Sequence, residues 1–278
     1  MQSGAWHPTS ILRVIHPVPS SADAVLVLTD AGQGFLKAMG NRAGEHALAC
    51  ELVGTQLAKW FGLSTFDFAL IDVIDVPEIP FAVAGRARPG KAFITRREKG
   101  DRWGGGEDQL KLVGNHEDIS RLVVFDTWTL NWDRFPPDTV RKPNRDNVFL
   151  SGEAPPGRLL LKAIDHTECF RSGPHLSPKV AFIDRVKDNR VYGLFPEFQS
   201  RLNRRVVADC AERLRGVDRE TLRRYIAEIP PEWDVNRVAR DALATLILDR
   251  ADFLADHIMD MLWPQRELGF MGEEEGES

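Results

Sequence analysis

Two polar residues at the ends of a predicted β-hairpin have the types and spacing of metal ligands. Asn147 opens the β-prone run NVFL, Asp165 closes the run RLLLKAID, and the turn-forming SGEAPPG lies between the runs. Because the strands of a hairpin run in opposite directions, the residue before the first strand and the residue after the second lie side by side. An amide oxygen and a carboxylate held in this way suit Mg²⁺, which prefers oxygen ligands. The sequence therefore predicts a magnesium site at the open end of the hairpin.

Asp133 supplies a third oxygen group. It lies in NWDR, where the preceding predicted helix ends, so its carboxylate can point into the same cleft. One carboxylate that orients an acceptor hydroxyl, together with two groups that hold metal on nucleotide phosphates, is the set that phosphoryl transfer requires. His166 has no second histidine at zinc-ligand spacing, so a zinc site is not favoured.

Such a site also needs a cation for the phosphates, and Lys37 is the candidate. It lies on the second strand of a predicted hairpin, after the turn TDAGQG, and a lysine ammonium is a compact charge suited to phosphate oxygens. Backbone N–H groups around Gly32 and Gly34 in this turn can face phosphate as well. On the next predicted helix, Glu51 has mostly small neighbours and can approach Lys37 closely enough to form an ion pair. Glu45, nearer the helix start, is the competing partner, and Glu51 is favoured.

The elements that must position these residues change in character along the chain. Two β-prone runs around the glycine turn predict a hairpin over residues 24–39. A helix follows, with Asn41 as its cap and Gly62 as its end, and the runs FDFALIDVIDV and FAVAGRARPGKAFITRRE predict further strands. The first 98 residues are therefore expected to be mainly β with one helix.

The second part of the chain is expected to be mainly helical. The glycine-rich stretch GDRWGGGEDQ, residues 100–109, predicts a connection between lobes or a mobile loop. A helix is expected from near Asp118 to Trp132, then the hairpin, then helices from about Phe195 to Leu262. This layout predicts an α+β protein with a small β-rich lobe at 1–98, a larger helical lobe at 99–265 and an acidic tail at 266–278.

Composition excludes several classes of protein. Of the 278 residues, 43% are apolar or aromatic and 28% are charged, with a net charge of -5, which is typical of a soluble globular protein and not of a disordered or collagen-like chain. Three cysteines without a C-x-x-C spacing argue against a disulfide framework and favour the cytoplasm. The sequence shows no signal peptide, and no apolar stretch reaches the ~18 residues of a membrane span. The mild acidity makes neither nucleic acid nor membrane an expected partner.

The candidate residues as a set resemble those of the HipA-like kinases, particularly a short bacterial branch of that family. The resemblance covers most of residues 10–262, and its elements are Lys37 on a strand, Glu51 in ACELVGTQLAKWFGL, Asp133 in NWDR, Asn147 before VFL, Asp165 in AIDH, and IPPEW followed by a long helix. NWDR and AIDH are also similar, more distantly, to elements of type II phosphatidylinositol 4-kinases.

This resemblance implies a bilobal protein-kinase-like fold that binds ATP and Mg²⁺ in its cleft. Carried over by motif, Lys37 contacts the ATP phosphates, Glu51 pairs with Lys37, Asp133 is the catalytic aspartate, and Asn147 and Asp165 bind metal. Two features differ from the family pattern. The segment FPPDTVRKPNRD after Arg134 is longer than usual, which makes Asn144 an alternative to Asn147, and TDAGQG is not a G-x-G-x-x-G loop.

Two functional hypotheses follow. The favoured one is a phosphotransferase that moves the γ-phosphoryl group of ATP to a hydroxyl, and the resemblance implies a protein serine or threonine as the acceptor. A lipid or small-molecule hydroxyl is the alternative acceptor. The second hypothesis is a nucleotide-binding pseudokinase that acts as a regulatory module or with an antitoxin-like partner. The presence of both Asp133 and Asp165 favours the enzyme.

Overall fold

The computed structural model describes residues 6–74, 78–138, 142–171 and 173–264. The acidic tail predicted at 266–278 lies outside the described residues. Within them, a β-rich N-terminal part precedes a mainly helical C-terminal part, and the predicted α+β class is confirmed.

The N-terminal part is a five-stranded antiparallel sheet with one long helix. Its strands lie in the order β1-β2-β3-β5-β4. The elements are β1 (Ile11–Pro17), β2 (Val25–Thr29), β3 (Gly32–Lys37), α1 (Glu45–Phe61), β4 (Phe68–Val73) and β5 (Gly90–Arg96). One face of the sheet forms a small apolar core that includes Val27, Leu36 and Ile94, and Phe93 on the other face joins the larger core with α1.

Strand β1 was not predicted from the sequence. It is an edge strand, only partly buried, and its pairing with β2 shifts register twice. Because the strict alternation of buried and exposed side chains is what a sequence pattern detects, an irregular edge strand gives a weak signal.

Helix α1 also starts later than predicted. Asn41 does not cap it, because the Asn41 side-chain oxygen accepts a hydrogen bond from the Gly44 N–H at 3.0 Å in the preceding turn. The helix begins at Glu45 and ends, as predicted, at Gly62, whose φ of 81° is in the left-handed region that glycine adopts readily.

The C-terminal part combines a three-stranded antiparallel sheet, in the order β6-β7-β8, with helices. Its elements are β6 (Gly100–Arg102), α2 (Glu107–Lys111), α3 (Glu117–Thr129), β7 (Val148–Ser151), β8 (Leu160–Ala163), α4 (Ile183–Val186), α5 (Pro196–Gln199), α6 (Arg204–Arg215), α7 (Arg219–Ala227) and α8 (Arg237–Leu262). The larger apolar core lies among these helices and contains Trp128, Leu243 and Leu254. No helix in the described ranges is long and apolar enough to cross a membrane.

The stretch at 100–109, predicted to be a connection between lobes or a mobile loop, contains regular structure. Residues Gly100–Arg102 form β6, which pairs with β7, and α2 begins at Glu107. Between them Trp103 is fully buried, with its ring 5.1 Å from that of Phe195 and 5.0 Å from that of Phe198. A single tryptophan among glycines gives no periodic hydrophobic pattern. The sequence therefore did not predict that Trp103 is buried and holds this segment in place.

Candidate active site

The Lys37 ammonium lies at the centre of the cleft between the N-terminal sheet and the β7–β8 hairpin. Its Nζ donates to Glu51 Oε2 at 2.9 Å and to Asp165 Oδ1 at 3.0 Å. The three side chains are 13%, 4% and 18% exposed, so little water competes for these contacts. Glu45, the alternative partner, instead accepts from the Gly40 N–H and pairs with Arg88. The Lys37 ammonium thus links β3 to α1 and to the segment after β8.

Electrostatics keep Lys37 and Asp165 ionised. Burial by itself would lower the pKa of Lys37, but the charges of Asp165 and Glu51 outweigh it and raise that pKa above its ordinary value. Burial would likewise raise the pKa of Asp165, but Lys37 and the Thr167 hydroxyl lower it to about 2. Burial raises the pKa of Glu51, and Lys37 offsets part of that effect.

A glycine allows α1 to approach this site. A Cβ on Gly54 would lie 2.7 Å from the Cβ of His166. The close approach lets the His166 N–H donate to Glu51 Oε2 at 2.8 Å, and the His166 ring nitrogen Nδ1 lies 3.2 Å from the Thr55 hydroxyl. The small face predicted for the helix therefore packs against residue 166, and Glu51 is held from two sides.

Asp133 lies in the turn that follows α3. Its Oδ2 accepts from Asn147 Nδ2 at 2.7 Å and from Asn144 Nδ2 at 3.2 Å, so both asparagines considered from the sequence contact the same carboxylate. Burial raises the pKa of Asp133, and the negative charge of Asp165 raises it further. Asp133 and Asp165 are therefore close enough to influence each other, although they are 32 positions apart in the chain.

The hairpin differs from the prediction by one residue. The last ladder pair is Val148 with Ala163, and the Ile164 N–H donates to the Asn147 carbonyl at 3.3 Å. Asn147 therefore lies opposite Ile164, and Asp165 follows one position later with a φ of 58°. This left-handed backbone turns the Asp165 carboxylate toward Lys37, whereas the Asn147 amide points to Asp133.

The two glycines of the first hairpin do not line this cleft. The turn itself is Asp30–Ala31, and Gly32 already pairs with Thr29. A Cβ on Gly34 would lie 2.9 Å from the Ile94 side chain and from the Thr95 carbonyl. Packing against β5 thus explains the glycine at 34, and contact of Gly32 and Gly34 with phosphate stays a prediction.

The donor set fits a hard divalent cation. No group of three or more His, Cys, Asp or Glu side chains within the described ranges is arranged to hold a metal. However, both hydrogen bonds that the described chain makes to Asp165 fall on Oδ1, and both made to Asp133 fall on Oδ2. Asp165 Oδ2 and the side-chain oxygen of Asn147 accept no hydrogen bond from the described residues and could bind a cation, and the second oxygen of Asp133 is open to an acceptor hydroxyl. Mg²⁺ needs few protein ligands, since water and phosphate complete its shell.

Arg134 is the residue of this site that the sequence analysis missed. It is fully buried, and it donates to the Asn147 carbonyl at 3.1 Å and to the Ile164 carbonyl at 2.8 Å. It also forms an ion pair with Asp126 on α3. The available signal was Asp126 itself, because a carboxylate within the apolar run VVFDTW must find a buried partner.

A second, wider groove adjoins the turn that carries Asp133. Its lining includes Trp132 and Pro136–Asp138 from the segment after α3, and Lys179, Phe182 and Arg185 from the segment that contains α4. The groove encloses about 860 Å³. Phe182, which lines the groove, is 53% exposed, and Ile183, its neighbour in the chain, is 65% exposed.

Comparison with known proteins places this chain in a family. The family model described as HipA-like kinase matches residues 27–265, so the chain belongs to the HipA-like kinases, which are kinase-type phosphotransferases. The resemblance inferred from the sequence is confirmed.

Solved structures give the fold independently. A proinflammatory kinase from Helicobacter pylori, CtkA, superimposes with a TM-score of 0.55 at 12% sequence identity, covering 92% of this chain and 98% of that chain. The likeness supports the protein-kinase-like fold. Comparison with curated protein sequences finds no match.

Proposed function

We propose that this protein is an ATP- and Mg²⁺-dependent kinase that phosphorylates serine or threonine hydroxyls of a protein. The observation that supports this most directly is the Lys37 contact with both Glu51 and Asp165. It brings a buried cation from the sheet to a carboxylate at the hairpin, beside a second carboxylate on the Asp133 turn. Phosphoryl transfer depends on such a set because its catalysis is mainly positioning and charge stabilisation.

In this proposal Lys37 binds phosphate oxygens of ATP. Glu51 is buried and held by the His166 N–H, so it keeps the ammonium in place when Lys37 exchanges Asp165 for phosphate. Asn147 and Asp165 would hold Mg²⁺. When bound, the cation would neutralise charge on the phosphates.

Asp133 orients the acceptor. Its carboxylate accepts a hydrogen bond from the acceptor hydroxyl, whose oxygen attacks the γ-phosphorus. The new bond joins that oxygen to phosphorus, the bond from phosphorus to the bridging oxygen of ADP breaks, and the hydroxyl proton passes to Asp133. Its raised pKa makes Asp133 a better proton acceptor than an exposed aspartate, provided that it is ionised before the reaction.

The groove beside Asp133 supports a protein acceptor over a small molecule. It is wide, it is lined by the half-exposed Phe182, and the next residue, Ile183, is also exposed; exposed apolar surface of this kind is a feature of surfaces that contact macromolecules. A regulatory or antitoxin-like partner stays a prediction from the resemblance.

The test has two parts. A thermal-shift titration with ATP, with and without Mg²⁺, should show Mg²⁺-dependent stabilisation of the wild type that Asp165→Ala loses. Asp72→Asn, which alters an exposed aspartate on β4, is the control and should respond as the wild type does. Mass spectrometry after incubation with ATP and candidate protein substrates should then find phosphoserine or phosphothreonine. Nucleotide binding without ADP formation would identify a pseudokinase, and no nucleotide binding would refute the proposal.

A further inference from the structure

Arg134 connects every part of the proposed metal site. It directly follows Asp133, its Nε donates to the carbonyl of Asn147, and its Nη2 donates to the carbonyl of Ile164, the residue before Asp165. One side chain therefore contacts the backbone of both strands at the open end of the hairpin, and it extends from the turn that carries the proposed catalytic aspartate.

The geometry of a guanidinium suits this task. It is planar and rigid, and its five N–H donors point in fixed directions, so two carbonyls that bind it are fixed relative to each other. The carbonyl of Ile164 belongs to the peptide plane that leads into Asp165, where the backbone has a φ of 58°. Holding that plane sets the direction of the Asp165 carboxylate. The bond to the Asn147 carbonyl constrains the other proposed ligand in the same way.

The surrounding structure is built to keep this cation buried. Arg134 and Asp126 are both 0% exposed. A buried ion pair contributes little net stability, because desolvation offsets the attraction of the charges. Asp126 Oδ2 makes no hydrogen bond with any described residue, and a Cβ at Gly193 would collide with it. The ion pair with Asp126 therefore holds the guanidinium in place more than it adds to the free energy of unfolding.

We infer that Arg134 is a positioning residue that sets the spacing of Asn147 and Asp165. This inference rests on the proposed function, and it implies that Arg134 determines the affinity of the site for Mg²⁺. Its role is distinct from those of Lys37 and Glu51. In the proposed function Lys37 contacts the phosphates directly. Arg134 instead acts on the two metal ligands, through the backbone carbonyls of Asn147 and Ile164.

The test is Arg134→Lys, measured as the Mg²⁺ concentration that gives half of the thermal shift with a saturating non-hydrolysable ATP analogue. A lysine can still pair with Asp126, but it cannot span both carbonyls in a fixed plane. We expect the half-saturating Mg²⁺ concentration to rise about 10- to 100-fold, the usual effect of losing a group that orients metal ligands. The shift caused by the nucleotide without Mg²⁺ should change little.

Arg250→Lys is the matched control. Arg250 is also fully buried and donates to backbone carbonyls, including that of Thr127 at 2.7 Å and that of Asp188 at 2.9 Å, but it does not contact the hairpin. It should lower the melting temperature and leave the Mg²⁺ requirement unchanged. Equal Mg²⁺ requirements in Arg134→Lys and wild type, or equal increases in both lysine variants, would overturn the inference.

A second variant covers the case in which Arg134→Lys does not fold. Asp126→Asn removes the counter-charge but leaves the two carbonyl bonds of Arg134, so it should reduce stability without changing the Mg²⁺ requirement. An increase of tenfold or more in this variant would refute the positioning role. If the wild type itself shows no Mg²⁺-dependent shift, the proposed function has failed instead.

Discussion

Replacing Lys37 with methionine should destabilise the protein in a way that depends on pH. Methionine nearly keeps the length of the side chain but removes the charge, which leaves Glu51 and Asp165 as neighbouring carboxylates without their cation. Removing one partner of a buried ion pair costs about 3–5 kcal/mol at neutral pH. The loss should lower the urea midpoint by about 1 M or more.

The sign of the pH dependence follows from the causes of the pKa shifts. Burial raises the pKa of both carboxyl groups, and Lys37 counteracts this in the wild type. Without Lys37 both pKa values should lie above those in the unfolded chain, so the folded variant binds protons more readily. Such groups contribute stability below their unfolded pKa, and this contribution is lost as pH rises through the folded pKa. The deficit of Lys37→Met should therefore shrink between pH 7.5 and pH 5.

The assay is urea denaturation of wild type and variant at several pH values in this range. Lys91→Met is the matched control, because Lys91 forms an ion pair of similar length, 2.7 Å, with Asp72 on the surface. Exposed pairs contribute about 0–1 kcal/mol, so the control should show a small effect without this trend. A deficit below 1 kcal/mol for Lys37→Met, or one that grows as pH falls, would refute the electrostatic reasoning.

Four further predictions concern the site and its supports. Asp133→Asn should reduce turnover about 10²- to 10⁴-fold and keep the Mg²⁺-dependent ATP shift. Because the pKa of Asp133 is raised, wild-type turnover should fall as pH decreases through that pKa; equal turnover in both proteins contradicts the role. Gly54→Ala places a Cβ against His166 and should cost about 1–3 kcal/mol in urea denaturation; unchanged stability would show that α1 moves freely. Arg250→Ala should cost several kcal/mol, since it leaves buried carbonyls unpaired; a loss under about 1 kcal/mol would contradict this. Phe182→Ala should raise the KM for a protein acceptor and leave that for ATP unchanged, and an unchanged acceptor KM would exclude the groove.

The sequence by itself determined the elements that depend on local patterns. Hydrophobic periodicity and turn residues predicted the first hairpin, the end of α1 at Gly62 and the long C-terminal helices. The order of residue types along the chain also indicated the chemistry. Phosphoryl transfer needs a lysine for the phosphates and carboxylates for the acceptor and the metal, and Lys37, Asp133 and Asp165 supply these groups from three different elements. The family follows from this same order of motifs.

Tertiary structure decided what depends on contacts between distant segments. It decided that Glu51 and not Glu45 meets Lys37, because the face of α1 that packs inward is fixed by the close approach to His166. It also buried Trp103 in a stretch whose glycines suggest a loop. Burial is a collective property of many segments, and a local pattern does not carry it.

The role of Arg134 illustrates the same limit most clearly. In the sequence it is one arginine after an aspartate at the end of a helix, whereas in the fold it is a buried cation bound to carbonyls 13 and 30 residues away. Backbone carbonyls are identical at every position, so no sequence pattern marks which of them a side chain will bind. The spacing of the proposed metal ligands is therefore set when the chain folds, through hydrogen bonds that residue types do not encode.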